Sequence, residues 1–268
     1  MIILDLVKPG SQLDYEDFDW CCEINSLLDL MITSFTDANI SFNLFTTAFD
    51  ELHKKPDQNE SLRKIDEFWR RRKEFEDLIR SERQSNDYSD YINIAFEAER
   101  RTKLEHWNNG AVPYGFVRRT VFIHASSFIN SIAMISRILG ILISTPSTPS
   151  ELNAFKEELD HKFPQLNEIR NSVVHIEDRA RGFKKYDWKK REYVKLDLKP
   201  IDKPYLKSER GALYLNNFEG NTFQTILANG HLGEVDISVP TIIFFNCLVY
   251  NILNSFKWTG SYVHYPEK

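Results

Sequence analysis

An arginine, an asparagine and a histidine stand close together in IRNSVVHIEDRARG, residues 169–182, as Arg170, Asn171 and His175. Histidine exchanges a proton near neutral pH, so it can serve a bound reactant as acid or base. Arginine stays charged and presents paired N–H donors to an oxyanion as negative charge develops on it. An asparagine amide between them can orient either neighbour by hydrogen bonding. These types describe proton transfer on an anionic substrate, provided that the fold turns them toward the same space.

Spacing alone does not select this trio. The Arg-x4-His pattern occurs three times, also as Arg101/His106 and Arg119/His124. The first of these lies in AERRTKLEHW, whose mixed charges describe a solvated helix end. The second opens the apolar VFIHASSFINSIAMI, where histidine is ordinarily a hydrogen-bonded core or boundary residue. Drawn at about 100° per residue, the third pair differs. Leu166, Ile169, Val173, Ile176 and Ala180 form a core-facing stripe, with Asn167, Asn171, Val174 and Asp178 nearly opposite. Arg170 and His175 flank that polar stripe on either side, so on a continuous helix they could converge on an object lying along it. The same pattern also describes a plain solvated face, and both readings stay open on spacing alone.

The elements that must position these residues are mostly helical. Apolar residues recur at helical spacing from about residue 14 to residue 180, and Gly and Pro are confined to breaks such as HKKPDQN, WNNGAVPYG and STPSTPS. Helices are expected near 14–35, 38–54, 59–84, 88–108, 114–143, 149–162 and 165–181. Thr148, Pro149 and Glu151 have the form of a capping box with proline at the first helical position. After Gly182, the segments YVKLDL, ALYLNN, TFQTIL and LGEVDIS are short and partly alternating, which predicts a small β insertion at about 190–238. A last apolar helix follows Pro240. The fold class is therefore mainly α, a helical bundle with a small β insertion before the last helix. Residues 1–85 read as an N-terminal helical extension packed on the bundle, and 86–268 as the main domain.

Composition narrows the classes of function. The chain has 268 residues, is 42% hydrophobic and carries a net charge of −5, so it can bury a full core and does not announce a nucleic-acid binder globally. Its three cysteines include no C-x-x-C pair, which suits a reducing cytosol. The N-terminus lacks the pattern of a secretory signal. The uncharged run 120–136 is interrupted by His124, Ser126, Ser127, Asn130 and Ser131, so it reads as a buried helix and no membrane is expected. No glycine-rich phosphate loop and no metal-binding spacing occurs, so neither a cofactor nor a metal is expected. The charged WRRRKEFEDLIRSER mixes acids and bases over an apolar stripe and reads as a salt-bridged helix surface.

Local charge is more informative. Residues 179–195 carry eight cations, Arg179, Arg181, Lys184, Lys185, Lys189, Lys190, Arg191 and Lys195, against Asp187 and Glu192, a local charge of +6. Phe183, Tyr186, Trp188 and Tyr193 interleave with them. Cations with aromatics suit phosphate attraction and base stacking on single-stranded RNA. A solvated loop anchored by its aromatics is the alternative.

The motif Arg170-Asn171-x-x-x-His175 resembles the signature of the HEPN family (higher eukaryotes and prokaryotes nucleotide-binding), an arginine followed four to six residues later by histidine, commonly with a polar residue after the arginine. The order of a long apolar helix, a motif helix, a variable insertion and a final helix is similar as well, over about residues 88–258. The resemblance implies a metal-independent endoribonuclease with Arg170, Asn171 and His175 as catalytic residues. Arg179, Arg181, Lys184, Lys185, Tyr186, Trp188, Lys189, Lys190 and Arg191 are its candidate RNA-binding residues. Because HEPN ribonucleases pair two motifs across one cleft, it also implies a homodimer. A prokaryotic toxin or defence role, with an antitoxin or other protein regulator as partner, belongs to the same resemblance. The alternatives are a non-catalytic HEPN-like module that binds RNA, a nucleotide or a protein, and a helical interaction protein without a nucleic-acid role.

Overall fold

The computed structural model describes residues 1–55, 57–83, 90–187 and 189–266. Two short strands, β1 (Leu6–Lys8) and β2 (Gln12–Leu13), precede helices α1 (Phe18–His53), α2 (Gln58–Arg83), α3 (Asp90–Asn108), α4 (Tyr114–Ser144) and α5 (Leu152–Lys162). The motif region forms α6 (Leu166–Val174) and α7 (Ile176–Ala180). An insertion follows with β3 (Phe183–Asp187), β4 (Glu192–Lys195), β5 (Ile201–Lys203), β6 (Leu206–Ser208), β7 (Asn217–Glu219), β8 (Thr222–Ile226) and β9 (Leu232–Asp236). The chain ends with α8 (Val239–Asn254), β10 (Trp258–Thr259) and β11 (Val263–Tyr265). The described residues are thus mainly helical, with a β insertion between the motif helices and α8.

The chain forms two compact units, one of Met1–Thr46 and Phe122–Lys268, the other of Thr47–Val121. These boundaries differ from the 1–85 and 86–268 division read from the sequence. Residues 1–46 share a unit with the C-terminal part because β1 pairs with β11 and β2 with β10, both antiparallel. Lys8 reinforces that closure: only 4% exposed, its ammonium donates to Asn25 Oδ1 at 2.8 Å and Asp29 Oδ1 at 2.7 Å. A buried ammonium is tolerated because its donors are taken up in this way.

In this unit α1 buries Ile24, Leu28, Met31, Phe35, Ala38 and Phe42, α4 buries Ala125, Phe128, Ile132 and Leu139, and α8 buries Ile242, Phe245 and Val249. Recurrence every three to four residues places each set on one helix face. The rings of Phe42 and Phe128 meet at 6.1 Å. Among the described helices, α4 alone is long and apolar enough to cross a bilayer, and half of its most apolar window is buried. In the other unit, α2 and α3 pack through Ile79, Ile94, Ala98 and Phe75. Arg71 clamps Glu105 there with two hydrogen bonds, of 2.6 and 2.7 Å.

Three expectations are corrected. The helices expected over 14–35 and 38–54 are the single helix α1, since Asp37 is exposed and no Gly or Pro interrupts the run. Thr148 forms no capping box: its hydroxyl donates to the carbonyls of Leu142 and Thr145 at the end of α4, and α5 begins only at Leu152. The insertion starts at Phe183 rather than near 190, because the cationic segment is itself a hairpin.

Strands β7, β8 and β9 form an antiparallel sheet with β8 central, and α6 packs on β8 and β9. Gly233 permits the approach. A Cβ at this position would lie 2.5 Å from Leu227 Cδ2 and 3.0 Å from Ile169 Cγ1. Gly233→Ala is expected to destabilise the protein by about 1–3 kcal/mol through overpacking. Gly140→Ala, in helix α4 with nothing within 4 Å, should instead stabilise by up to about 1 kcal/mol. Urea unfolding of the two variants compares them directly.

Candidate functional site

Helix α6 seats Leu166, Ile169 and Ser172 in the core, which leaves Arg170 half-buried and Asn171 exposed on the other side. The continuous helix expected over 165–181 is broken at His175, which has φ −107° and ψ 42° and ends α6 while starting α7. The break resets the helical phase. Arg179 is buried where Ala180 had been expected to face the core, and Ala180 is exposed.

Around this break Arg170 and Asn171 meet through their side chains, and His175 joins Asn171 through the backbone alone. Arg170 Nη1 donates to Asn171 Oδ1 at 3.2 Å, and the His175 amide donates to the Asn171 carbonyl at 3.0 Å. The His175 side chain is 56% exposed, with Nδ1 3.7 Å from a carboxylate oxygen of Glu177. Ligand atoms of His175, Glu177 and Asp178 lie within 4.8 Å of one another, a set that a cation could bridge. Exposed acids at the start of a helix are also accounted for by its backbone N–H groups.

Arg179, grouped by sequence with the RNA-binding cations, is a structural residue. It is 3% exposed, and its guanidinium donates to Ser172 Oγ at 3.4 Å and to the carbonyls of Phe183 and Lys184 at 2.9 and 2.6 Å. Burial depresses its pKa, an effect countered by the carboxylates of Asp178 and Glu177. The two carbonyls fall where the β3–β4 ladder slips register, so Arg179 satisfies acceptors that the irregular ladder exposes. Gly182, at φ +74°, takes the left-handed conformation that ends α7 and turns the chain into β3.

The remaining candidates divide by position. Arg181, Lys184, Lys185, Lys189, Lys190 and Arg191 are exposed and Tyr186 is half-buried, while Trp188 lies outside the described residues. No ion pair neutralises these cations among the described residues. Asp187 instead caps the β3–β4 turn, accepting the amides of Lys189 and Lys190 at 2.9 and 3.2 Å. Sequence reading grouped Phe183, Tyr193 and Lys195 with this segment without assigning them to the site, and the ladder brings all three to the hairpin.

The other Arg-x4-His pairs are differently placed. Arg101 is held by Glu97 and Glu82, whose carboxylates raise its pKa. His106 lines a groove of about 250 Å³ between α2 and α3. His124 is half-buried and its pKa is lowered by burial, which favours the neutral ring. A further polar cluster was not foreshadowed by spacing. Buried Gln224 on β8 donates to Glu234 Oε1 at 2.7 Å and to the Tyr205 hydroxyl, while Lys203 pairs with Glu234. Burial pushes the Tyr205 hydroxyl up to about 12. These bonds pin the β5–β6 hairpin to the sheet.

Comparison with protein-family models, curated proteins and solved structures finds no match. The geometry therefore stands alone. Arg179→Met would leave the Phe183 and Lys184 carbonyls without their donor and is expected to cost roughly 2–4 kcal/mol, whereas Arg181→Ala, on the surface, should cost less than about 1 kcal/mol. Guanidinium denaturation of both variants reads the difference.

Proposed function

We propose that the protein is a metal-independent endoribonuclease of the HEPN type, a homodimer whose two copies of Arg170, Asn171 and His175 share one cleft. The observation that carries this reading is the exposure of His175 at a helix break, beside the Arg170–Asn171 hydrogen bond and followed, after the five-residue α7, by a hairpin whose cations have no ion-pair partner among the described residues. The HEPN-like arrangement of helices and a cytoplasmic toxin or defence role belong to the same proposal.

In this reading the His175 imidazole accepts the proton of a ribose 2′-hydroxyl. The 2′-oxygen attacks the adjacent phosphorus as the bond from phosphorus to the 5′-oxygen breaks, giving a 2′,3′-cyclic phosphate. The leaving 5′-oxygen receives a proton from the imidazolium of the second copy. Arg170 holds the non-bridging phosphate oxygens with two N–H donors. Asn171 accepts from the Arg170 guanidinium and so orients it. One motif supplies one proton-transfer group, which is why the reading requires two copies.

Purified protein is expected to cleave unstructured RNA in the presence of EDTA and to leave DNA and 2′-O-methyl RNA intact. Arg170→Ala and His175→Ala should each reduce the rate by about 100-fold or more, with circular dichroism and dimer size unchanged. Cleavage that persisted in His175→Ala, or that needed a divalent cation, would contradict the mechanism. RNA binding by the wild type without any cleavage would favour the non-catalytic module.

A further inference from the structure

The β3–β4 hairpin carries an ordered aromatic face as well as charge. Tyr186 and Tyr193 are directly opposite in the ladder, and the register shift between Phe183 and Lys185 keeps Phe183 on their side. Phe183 stacks on Tyr193 with centroids 4.8 Å apart and planes at 26°, and Tyr186 meets Tyr193 edge-on at 5.0 Å. The Arg181 guanidinium completes the group, 4.9 Å from the Phe183 ring and 4.4 Å from that of Tyr193.

This cluster does not serve to fill a core. Tyr193 remains 39% exposed. An isolated two-stranded ribbon is only marginally stable in water, yet this one is anchored at its base by Arg179 and by the Leu196 amide on the Gly182 carbonyl. An exposed tyrosine ring and an exposed guanidinium, on a hairpin that also exposes Lys190 and Lys195, match the base and the flanking phosphates of a nucleotide whose base is unpaired.

We propose that the face formed by Arg181, Phe183, Tyr186 and Tyr193 is a subsite for one unpaired nucleobase of single-stranded RNA, with Lys190 and Lys195 taking the phosphates on either side. For its ligand the inference rests on the ribonuclease reading, and it adds the selection of single strands. A base within a duplex is stacked on both faces and cannot lie on Tyr193. The phosphates of a duplex still meet the lysines, so charge alone does not discriminate. Arg179 acts as a positioning residue, fixing this face relative to Ser172, the neighbour of Asn171.

The experiment uses the full-length His175→Ala protein, which removes turnover, and measures fluorescence anisotropy with a labelled unstructured twelve-nucleotide RNA and its blunt duplex. The single strand is expected to bind about tenfold tighter or more. Tyr193→Ala and Arg181→Ala, each added to that background, should remove most of this preference, Tyr193→Ala leaving duplex binding unchanged and Arg181→Ala, which also removes a charge, weakening it no more than Lys190→Ala does. Tyr193→Phe should retain the preference, and Lys190→Ala should weaken both ligands alike. Equal binding of the two RNAs, a preference intact in both Tyr193→Ala and Arg181→Ala, or no RNA binding at all would overturn the proposal. A wild type that binds single strands through Tyr193 yet cleaves nothing would end the ribonuclease reading alone. Cleavage with no contribution from Tyr193 or Arg181 would end the subsite alone.

Discussion

The buried guanidinium of Arg179 is the interaction on which the candidate site depends. From α7 it reaches Ser172 on α6 and two successive carbonyls of β3. Removing such a charge from water is expensive, and it is tolerated only when its donors find acceptors and opposite charge is near. Both conditions hold, with Asp178 and Glu177 supplying the carboxylates. The helix break at His175 would otherwise be a loose joint between the motif and the hairpin. With Arg179 in place, the exposed histidine and the aromatic hairpin belong to one tied assembly.

That assembly rests on close packing behind it. Ile169 approaches β9 at Gly233, where a Cβ would crowd Leu227 and lie 3.0 Å from Ile169 Cγ1, so the missing side chain gives α6 room to seat. The core-facing residues of α6 are buried while Asn171 and His175 are left in solvent. The helix thus turns Leu166, Ile169 and Ser172 inward and Asn171 and His175 outward, with Arg170 half-buried between them. The hairpin follows the same logic in two dimensions, since one face gathers its rings while its cations stay unpaired among the described residues.

Much of this was legible in the sequence, and the physical reasons for success and failure differ by element. The 3.6-residue periodicity located α2, α3, α4 and α5 to within a few residues, because long amphipathic runs carry many concordant positions. The same method erred at the motif. A projection assumes constant phase, and nothing in IRNSVVHIEDRARG announces the break at His175. Arg179 was misread for a related reason: composition counts an arginine as a surface cation, whereas burial depends on acceptors supplied by Phe183 and Lys184 through a ladder irregularity. In the cation-rich hairpin the second strand was foreseen, through YVKLDL, but the first, Phe183–Asp187, was read as chemistry alone, since its clustered lysines mask alternation. The cluster around Gln224 could not be foreseen at all, because Lys203, Gln224 and Glu234 meet only through strand pairing. Capping at Thr148 failed because the end of α4 competed for its hydroxyl.

The chemistry proposed for Arg170 and His175 makes a commitment about bonds that the fold does not. If His175 activates the ribose 2′-hydroxyl, phosphorus is attacked from within the RNA and no water enters the cleavage step. End-group analysis of the RNA fragments, by mass spectrometry, tests this most directly. The account predicts a 2′,3′-cyclic phosphate on the upstream fragment and a 5′-hydroxyl on the downstream one. Fragments bearing a 5′-phosphate and a 3′-hydroxyl would contradict it.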